Sequence, residues 1–476
     1  MSNYSFPGVY AENINNASAP IEGVGSSTGG FVGITVRGEL RKPILVTSWQ
    51  DFLDKFAFGV ETPFIANSDL AYSVYGFFQN GGTKCYVIRV ASSSAAKASG
   101  TLSSGRIYAK DEGTWGNKIS VKCTANKTHS TLFDVEVEYD GERVELYEGL
   151  SNTVTDANYF ANAIRGSKFI TGSVTSLTAT EEYVTLTGGN DGISDIEDED
   201  FLANGLVYFD SVDDVSLICI PGQTSNDINE SLVTYADLKG NVFAILDGVK
   251  TATVEDIIEA RENYVGKNAA LYYPWIKVSD PLSKNGTLRE CPACGHIMGV
   301  YSRIIKDRGV WKAPAGTEAY IRGAIDVVKS LAFGEGEQLN ASNVNAVLSK
   351  PGYGIVVWGA RSINTDPSLR YVSDVLLKTH ITESIKNGTQ WAVFEPNNSF
   401  LWTKVKTTIE AFLDELWRAG GLKGETAAEA YFVKCDAELN TKEGIESGKL
   451  ICDVGYAPNK PAEFVIVRIA HSISND

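Results

Sequence analysis

The chain has 476 residues, 43% of them hydrophobic and 21% charged, which excludes a disordered protein and leaves room for about three domains. Its 42 Lys+Arg against 59 Asp+Glu give a net charge of −17, which opposes a general grip on nucleic-acid phosphates or on anionic membranes. Seven scattered cysteines, an odd count, suit a reducing compartment, and neither a secretory signal nor a bilayer-spanning run is read, so a soluble, non-exported protein is expected.

Residues 1–30 are rich in Asn, Ser, Gly and Ala around a strand-like patch, Phe6 to Tyr10. They read either as a frayed terminus or as an arm that docks on something. Residues 31–91 read as α/β: a strand at Phe31 to Val36, a helix at Ser48 to Phe56, and a doubly striped helix from Leu70 that stops at Gly81-Gly82. A strand follows at Cys85 to Val90. After a Ser/Ala linker, alternation at Phe133, Val135, Val137 and Tyr139, then Asp140-Gly141, predicts a β-hairpin with a primed turn. Thr155 to Arg165 reads as one helix. This stretch is expected to be an inserted α+β domain with its own small core.

Val215 to Ile220, Val242 to Leu246 and Ala269 to Val278 read as strands, with a helix capped by Thr253 between the last two, a βαβ pattern. Towards the C-terminus, Val405, Ile409, Phe412, Leu413 and Leu416 form the apolar stripe of a long helix. Lys404, Thr408, Glu410, Asp414, Glu415 and Arg418 fall mostly on its other face. Glu463 to Ile469 reads as a strand covered on both sides.

Candidate chemistry is sparse. Gly25-Ser26-Ser27-Thr28-Gly29 matches a nucleophile elbow but lacks the strand before it and the helix after it, so a Gly/Ser loop is the better reading. Cys291-Pro-Ala-Cys294, followed by His296, is the sharpest chemical signal. Three readings stand: ordinary loop cysteines, part of a metal site with His296 as third ligand, or a redox pair. The redox reading needs a strand that leads into a helix, whereas Pro281 and the Lys284-Asn285-Gly286 turn precede the motif. The acidic run Glu197 to Asp200 reads as a solvated linker. Four dispersed histidines, His129, His296, His380 and His471, lower the expectation of an enzyme.

The ordered series of short motifs carries more. Pro7-Gly8-Val9-Tyr10, Phe31-Val32-Gly33, Pro43 to Phe52, Phe77 to Gly82 and Cys85 to Val90 come first. Gly113 to Asn117, Asp307 to Ala315, Val357 to Arg361, Phe394 to Asn397 and Pro461 to Phe464 follow. This series closely resembles the tail sheath proteins of contractile-tailed bacteriophages, a family that includes sheaths of R-type bacteriocins and contractile injection systems. Cys291 to His296 departs from the family's Pro/Ser-Gly stretch.

The resemblance implies a multidomain α/β and α+β tail-sheath fold, with an inserted β-rich domain and a C-terminal sheet completed by neighbouring subunits' terminal strands. The expected division is 1–20 linking arm, 21–95 core, 96–198 inserted outer domain, 199–348 core, 349–457 inner domain and 458–476 linking strand. It implies a structural subunit, not an enzyme, without cofactors. Such a subunit polymerises as stacked hexameric rings around an inner tube and contracts to drive the tube through an envelope. Implied partners are further copies, the tube protein, and baseplate and terminator proteins, with no direct nucleic acid and no membrane insertion. The implied place is the virion tail, assembled in the host bacterial cytoplasm. Phe6, Val9, Tyr10, Phe464, Val465, Ile466 and Val467 are the expected inter-subunit strand residues. Lys404, Thr408, Glu410, Asp414, Glu415 and Arg418 are expected to face the tube, unless their helix is a plain core helix. The alternatives are a bacteriocin or injection-system sheath, another self-assembling filament protein, and a soluble enzyme built on Cys291 and Cys294.

Overall fold

Eight short runs pair into one sheet. They are β1 (Gly29–Gly33), β2 (Ile44–Val46), β3 (Cys85–Arg89), β4 (Leu217–Cys219), β5 (Phe243–Asp247), β6 (Ala269–Tyr273), β7 (Val344–Lys350) and β8 (Gly354–Val357). Their order is β8-β7-β6-β5-β4-β1-β3-β2. The inner strands run parallel, and the edge strands β2 and β8 run antiparallel to β3 and β7. Every residue of β1, β4, β5 and β6 is buried, because a parallel sheet carries helices on both faces. The computed structural model describes residues 20–58, 62–180 and 182–463. Residues 25–379 with 461–463 make one unit, which holds this sheet, and residues 20–24 with 380–460 make another.

The helices are α1 (Trp49–Phe56), α2 (Leu70–Asn80), α3 (Asn226–Lys239), α4 (Val254–Asn263), α5 (Cys294–Arg308), α6 (Phe333–Ala341), α7 (Val372–Gly388) and α8 (Ser399–Arg418). Ser48 caps α1, Thr253 and Asp256 form a capping box on α4, and α2 ends at Gly81 in the left-handed conformation. Alternate strand residues serve different layers. Ala244, Leu246, Ala269, Leu271 and Tyr273 join Ile228, Leu232, Ile257 and Leu339 from α3, α4 and α6 in one core. On the other face α5 lies against β4 and β5 and crosses α2 at close range. The crossing depends on glycine. A Cβ at Gly295 would meet Ser73 Cβ at 2.5 Å, and one at Gly299 would meet the Phe77 carbonyl oxygen at 2.4 Å.

Three sequence expectations are corrected. The run Ala269 to Val278 is two strands, because Pro274 follows β6 and offers no N–H to a ladder. Ile276–Ser279 instead lies between Leu288–Cys291 and Ala324–Val327 in a small antiparallel sheet. Thr155 to Arg165 is helical only over Phe160–Ala163, with a 3-10 turn at Ile164–Gly166. Its polar start makes a loop tied by Ser151 Oγ to Asp156 and by the Ser151 N–H to the Asn158 carbonyl. Glu197 to Asp200 is no linker. Glu197 caps a short helix, Asp198–Leu202, whose first-turn carboxylates suit the positive end of the helix dipole and whose Phe201 is buried.

Residues 98–186 hold a separate core, including Ile107, Trp115, Val121, Val137 and Phe169, between a three-stranded and a four-stranded sheet. The hairpin of Phe133–Tyr139 and Glu142–Leu150 turns at Asp140 and Gly141, both at positive φ (51° and 85°), as a primed turn requires. The chain enters and leaves this region side by side. The Ala96 N–H donates to the Asn190 carbonyl and the Ser92 N–H to the Gly192 carbonyl, each at 3.0 Å. Arg37, fully buried in the bend after β1, reaches into this second core. Its guanidinium lies 4.0 Å from the centroid of Trp115, 4.8 Å from Tyr139, 4.9 Å from Phe58 and 5.2 Å from Phe169.

Candidate assembly surfaces

In the C-terminal unit, α8 starts at Asn398, whose Oδ1 accepts the N–H groups of Phe400 and Leu401 at 3.0 and 3.1 Å. Asn397 anchors the preceding loop, accepting from Trp402 Nε1 at 2.7 Å and donating to the Lys449 carbonyl at 2.8 Å. The apolar stripe Leu401, Val405, Ile409, Phe412, Leu413 and Leu416 is buried. Lys404, Glu410 and Asp414 are half-buried, and Glu415 and Arg418 are exposed. Lys404 Nζ stacks 4.2 Å over Trp391, Glu410 pairs with Lys406 at 3.7 Å, and Arg418 with Asp414 at 2.7 Å. Thr408 is corrected. It lies on the buried face, not on the face with Glu415 and Arg418, and donates its hydroxyl to the Lys404 carbonyl at 2.8 Å.

Beside α8, Tyr431–Lys434 pairs antiparallel with Asp453–Tyr456 as a two-stranded sheet. Among the described residues, each of these strands pairs only with the other. A two-stranded sheet of this kind has edges along which a further strand can pair. Phe6, Val9, Tyr10, Phe464, Val465, Ile466 and Val467, the expected inter-subunit strand residues, lie outside the described residues.

The last described residue, Glu463, is held firmly to the main-sheet unit. Its carboxylate accepts from Arg361 Nε and Nη2, each at 2.8 Å, from Asn340 Nδ2 at 2.8 Å and from the Tyr371 hydroxyl at 3.1 Å. Burial alone would raise this carboxyl, but the Arg361 fork and Asn340 hold it below its ordinary range. Arg361 is fixed in turn by Asn345, which exchanges two 2.7 Å bonds with its backbone. Sequence reasoning missed this clamp. Arg361 and Glu463 both stand in the quoted motifs, but nothing in the sequence pairs them.

The Cys291–Cys294 motif differs from its expected context. The strand Leu288–Cys291 leads into it and Cys294 opens α5, because the Lys284-Asn285-Gly286 turn joins two paired strands. The two thiols diverge. Cys291 contacts Ser73, whereas Cys294 contacts Cys219 and Asp247. Both are fully buried, burial pushes both thiols up, and with their sulfurs directed to different partners and neither open to solvent they make no redox pair. His296 packs against Gly76 instead of turning to the cysteines, and burial lowers its pKa to about 4, leaving a neutral ring. Among the described residues no group of three His, Cys, Asp or Glu is placed to hold a metal ion. The start of α5 is fixed from the sheet. Asp247 Oδ1 accepts the N–H groups of Ala293 and Cys294, each at 3.0 Å, and so caps α5 from the end of β5.

A cavity of about 600 Å³ lies beyond the ends of β1 and β4, lined by Ile34, Asn67, Asp191, Asp198, Phe201 and Gln223. Doubly wound sheets often bind ligands at such a point, where strand order reverses. Here its carboxylates serve the fold. Asp191 accepts from the Thr114 backbone and hydroxyl, and Asp198 accepts from Ser225. No helix among the described residues is long and apolar enough to cross a membrane.

The arrangement matches solved sheaths along nearly the whole chain. The contracted sheath of an extracellular contractile injection system, PVC, superposes with a TM-score of 0.63 at 22% identity, covering 99% of both chains. A crystal structure of a sheath tail protein from Listeria innocua gives 0.66 at 14% identity, covering 91% of this chain and 96% of the other. The fold is therefore that of tail sheath subunits. Residues 211–363 match the phage tail sheath protein central domain, and residues 364–471 match the phage tail sheath C-terminal domain. The chain belongs to the phage tail sheath family, a family of structural tail proteins and not of enzymes. It is 20% identical over 258 residues to the tail sheath protein of Escherichia phage P2, covering 53% of this chain and 62% of that protein. The matched part spans less than two thirds of the curated relatives.

Proposed function

We propose that this chain is the sheath subunit of a contractile phage tail. Copies stack as hexameric rings around an inner tube, and their shortening drives the tube through the envelope of a target cell, as a component of the virion tail. The observation that carries this reading is the match to both sheath domains over 211–471. Further copies of the chain, the tube protein, and baseplate and terminator proteins are the partners. Head-to-tail contacts between identical subunits build rings and helical arrays. The terminal segments at Phe6 to Tyr10 and Phe464 to Val467 would add strands to the Tyr431–Lys434 and Asp453–Tyr456 sheet of neighbours, joining subunits while they rotate. Lys404, Glu410, Asp414, Glu415 and Arg418 would meet the tube, a reading supported by their position on the outer face of α8.

Negative-stain electron microscopy of the purified chain, with and without its tube and baseplate proteins, tests the proposal. Hollow ridged cylinders are expected. A chain that stays monomeric with all partners present overturns it.

A second reading, the sheath of an injection system, is favoured by one observation. The match to the PVC sheath covers 99% of both chains, so the two are of equal extent. Particles purified with a DNA-filled head separate the phage from this alternative.

A further inference from the structure

Cys435 and Cys452 serve no part of the reading above. The ladder of the C-terminal hairpin pairs Tyr431 with Tyr456 and ends at Lys434 with Asp453, so Cys435 and Cys452 face each other one step further on. The hydrogen-bond phase fixes what kind of site this is. At the far end the Ala457 N–H donates to the Ala430 carbonyl at 2.8 Å, which marks a hydrogen-bonded pair. Alternation along the ladder makes Lys434/Asp453 another and Cys435/Cys452 a non-hydrogen-bonded pair. At such sites facing Cα atoms are about 4.5 Å apart, within the roughly 4.4–6.8 Å that a disulfide bridges.

The pair is also held in place. Asn440 ends the ladder by mimicking a strand, donating to the Ile451 carbonyl at 2.9 Å and accepting the Ile451 N–H at 2.7 Å. Its Nδ2 also reaches Cys435 Sγ at 3.9 Å. The two thiols lie close enough to act on one another. Cys435 is buried and Cys452 is half-exposed, so one sulfur can be reached from solvent. The other contacting thiols, Cys219 and Cys294, are both fully buried.

We propose that Cys435 and Cys452 form an oxidisable cross-strand pair that staples the C-terminal hairpin. The oxidant is a small-molecule disulfide of the glutathione class. Cys452 thiolate attacks one sulfur of oxidised glutathione and expels one glutathione thiolate, which takes up a proton. Cys435 then displaces the second glutathione, the Cys435–Cys452 bond closes, and two reduced glutathiones leave with the two thiol protons. Burial raises both thiols, Cys452 to about 12, so exchange is slow at neutral pH and quickens as pH rises. Closure consumes oxidised glutathione, so the pair is reduced where the glutathione pool is reduced and closes in oxidising surroundings. Resting on the sheath reading, the staple would stiffen the sheet that receives neighbouring strands.

The full chain is incubated with oxidised glutathione in mildly alkaline buffer, alkylated and digested without reduction. The expected result is a Cys435–Cys452 linked peptide and loss of two of the seven free thiols. Amide exchange at Lys434 and Asp453, the adjoining hydrogen-bonded pair, should slow at least about tenfold. Cys452→Ser should retain its remaining thiols. A persistent glutathione adduct at Cys452, a link to another cysteine, or full thiol retention while the denatured chain oxidises overturns the staple. A linked peptide in a chain that never assembles supports the staple and overturns the sheath reading instead.

Discussion

Gly299 and Asp247 show how single residues set the α5 layer. Gly299→Ala places a methyl group 2.4 Å from the Phe77 carbonyl oxygen, which backbone cannot yield cheaply. The expected cost is about 1–3 kcal/mol, read as a lower urea midpoint with unchanged slope. Asp247, fully buried, is raised by burial from its ordinary 3.8 to about 7, despite the Cys294 and Ala293 donors. The folded state thus keeps a proton that the unfolded state gives up from about pH 4 upward. Stability from this group is complete below about pH 4 and falls as pH rises through 7, by at most about 1.4 kcal/mol per pH unit. Asp247→Asn should flatten that slope in a urea series run across this range, and an unchanged slope refutes the assignment. None of this was visible in the sequence. Asp247 reads there as the end of an apolar run, and the Arg37 cage joins four aromatic residues spread from Phe58 to Phe169 that no local pattern links.

Elements were legible where local chemistry and burial agree. Gly81 ends α2, Asp140-Gly141 turns its hairpin, and the stripe from Val405 to Leu416 is the buried face of α8. They were misread where a partner decides. Lys284-Asn285-Gly286 looks like the start of a loop until Ile276–Ser279 is paired with Leu288–Cys291. Thr408 looks polar until its hydroxyl bonds back into its own helix. For α8 the test is a double charge reversal, Lys404→Glu with Glu410→Lys. It should weaken the tube-bound form at least about tenfold while tube-free polymer changes little, both measured by sedimentation. Equal loss of both marks a folding defect, since Lys404 also stacks on Trp391.

For the whole molecule, the ordered motifs carried the family, while the pairing of distant segments needed three dimensions. Glu463 returns the chain from the C-terminal unit to Arg361, so a pull on whatever follows is resisted by four hydrogen bonds to main-sheet side chains. Deleting residues 1–18 should leave a folded, monodisperse chain by circular dichroism and sedimentation that makes no polymer. Normal cylinders from the deletion would remove the N-terminal arm from the linking scheme. The paired crossings at Ala96/Asn190 and Ser92/Gly192 have an engineering consequence. A module whose two ends are already hydrogen-bonded neighbours can be exchanged for cargo with equally close termini while the main sheet keeps its strand order. The graft must also deal with Arg37, which would lose Trp115, Tyr139 and Phe169 and keep only Phe58 of its aromatic lining. A graft that restores an aromatic side chain over Arg37 keeps that contact.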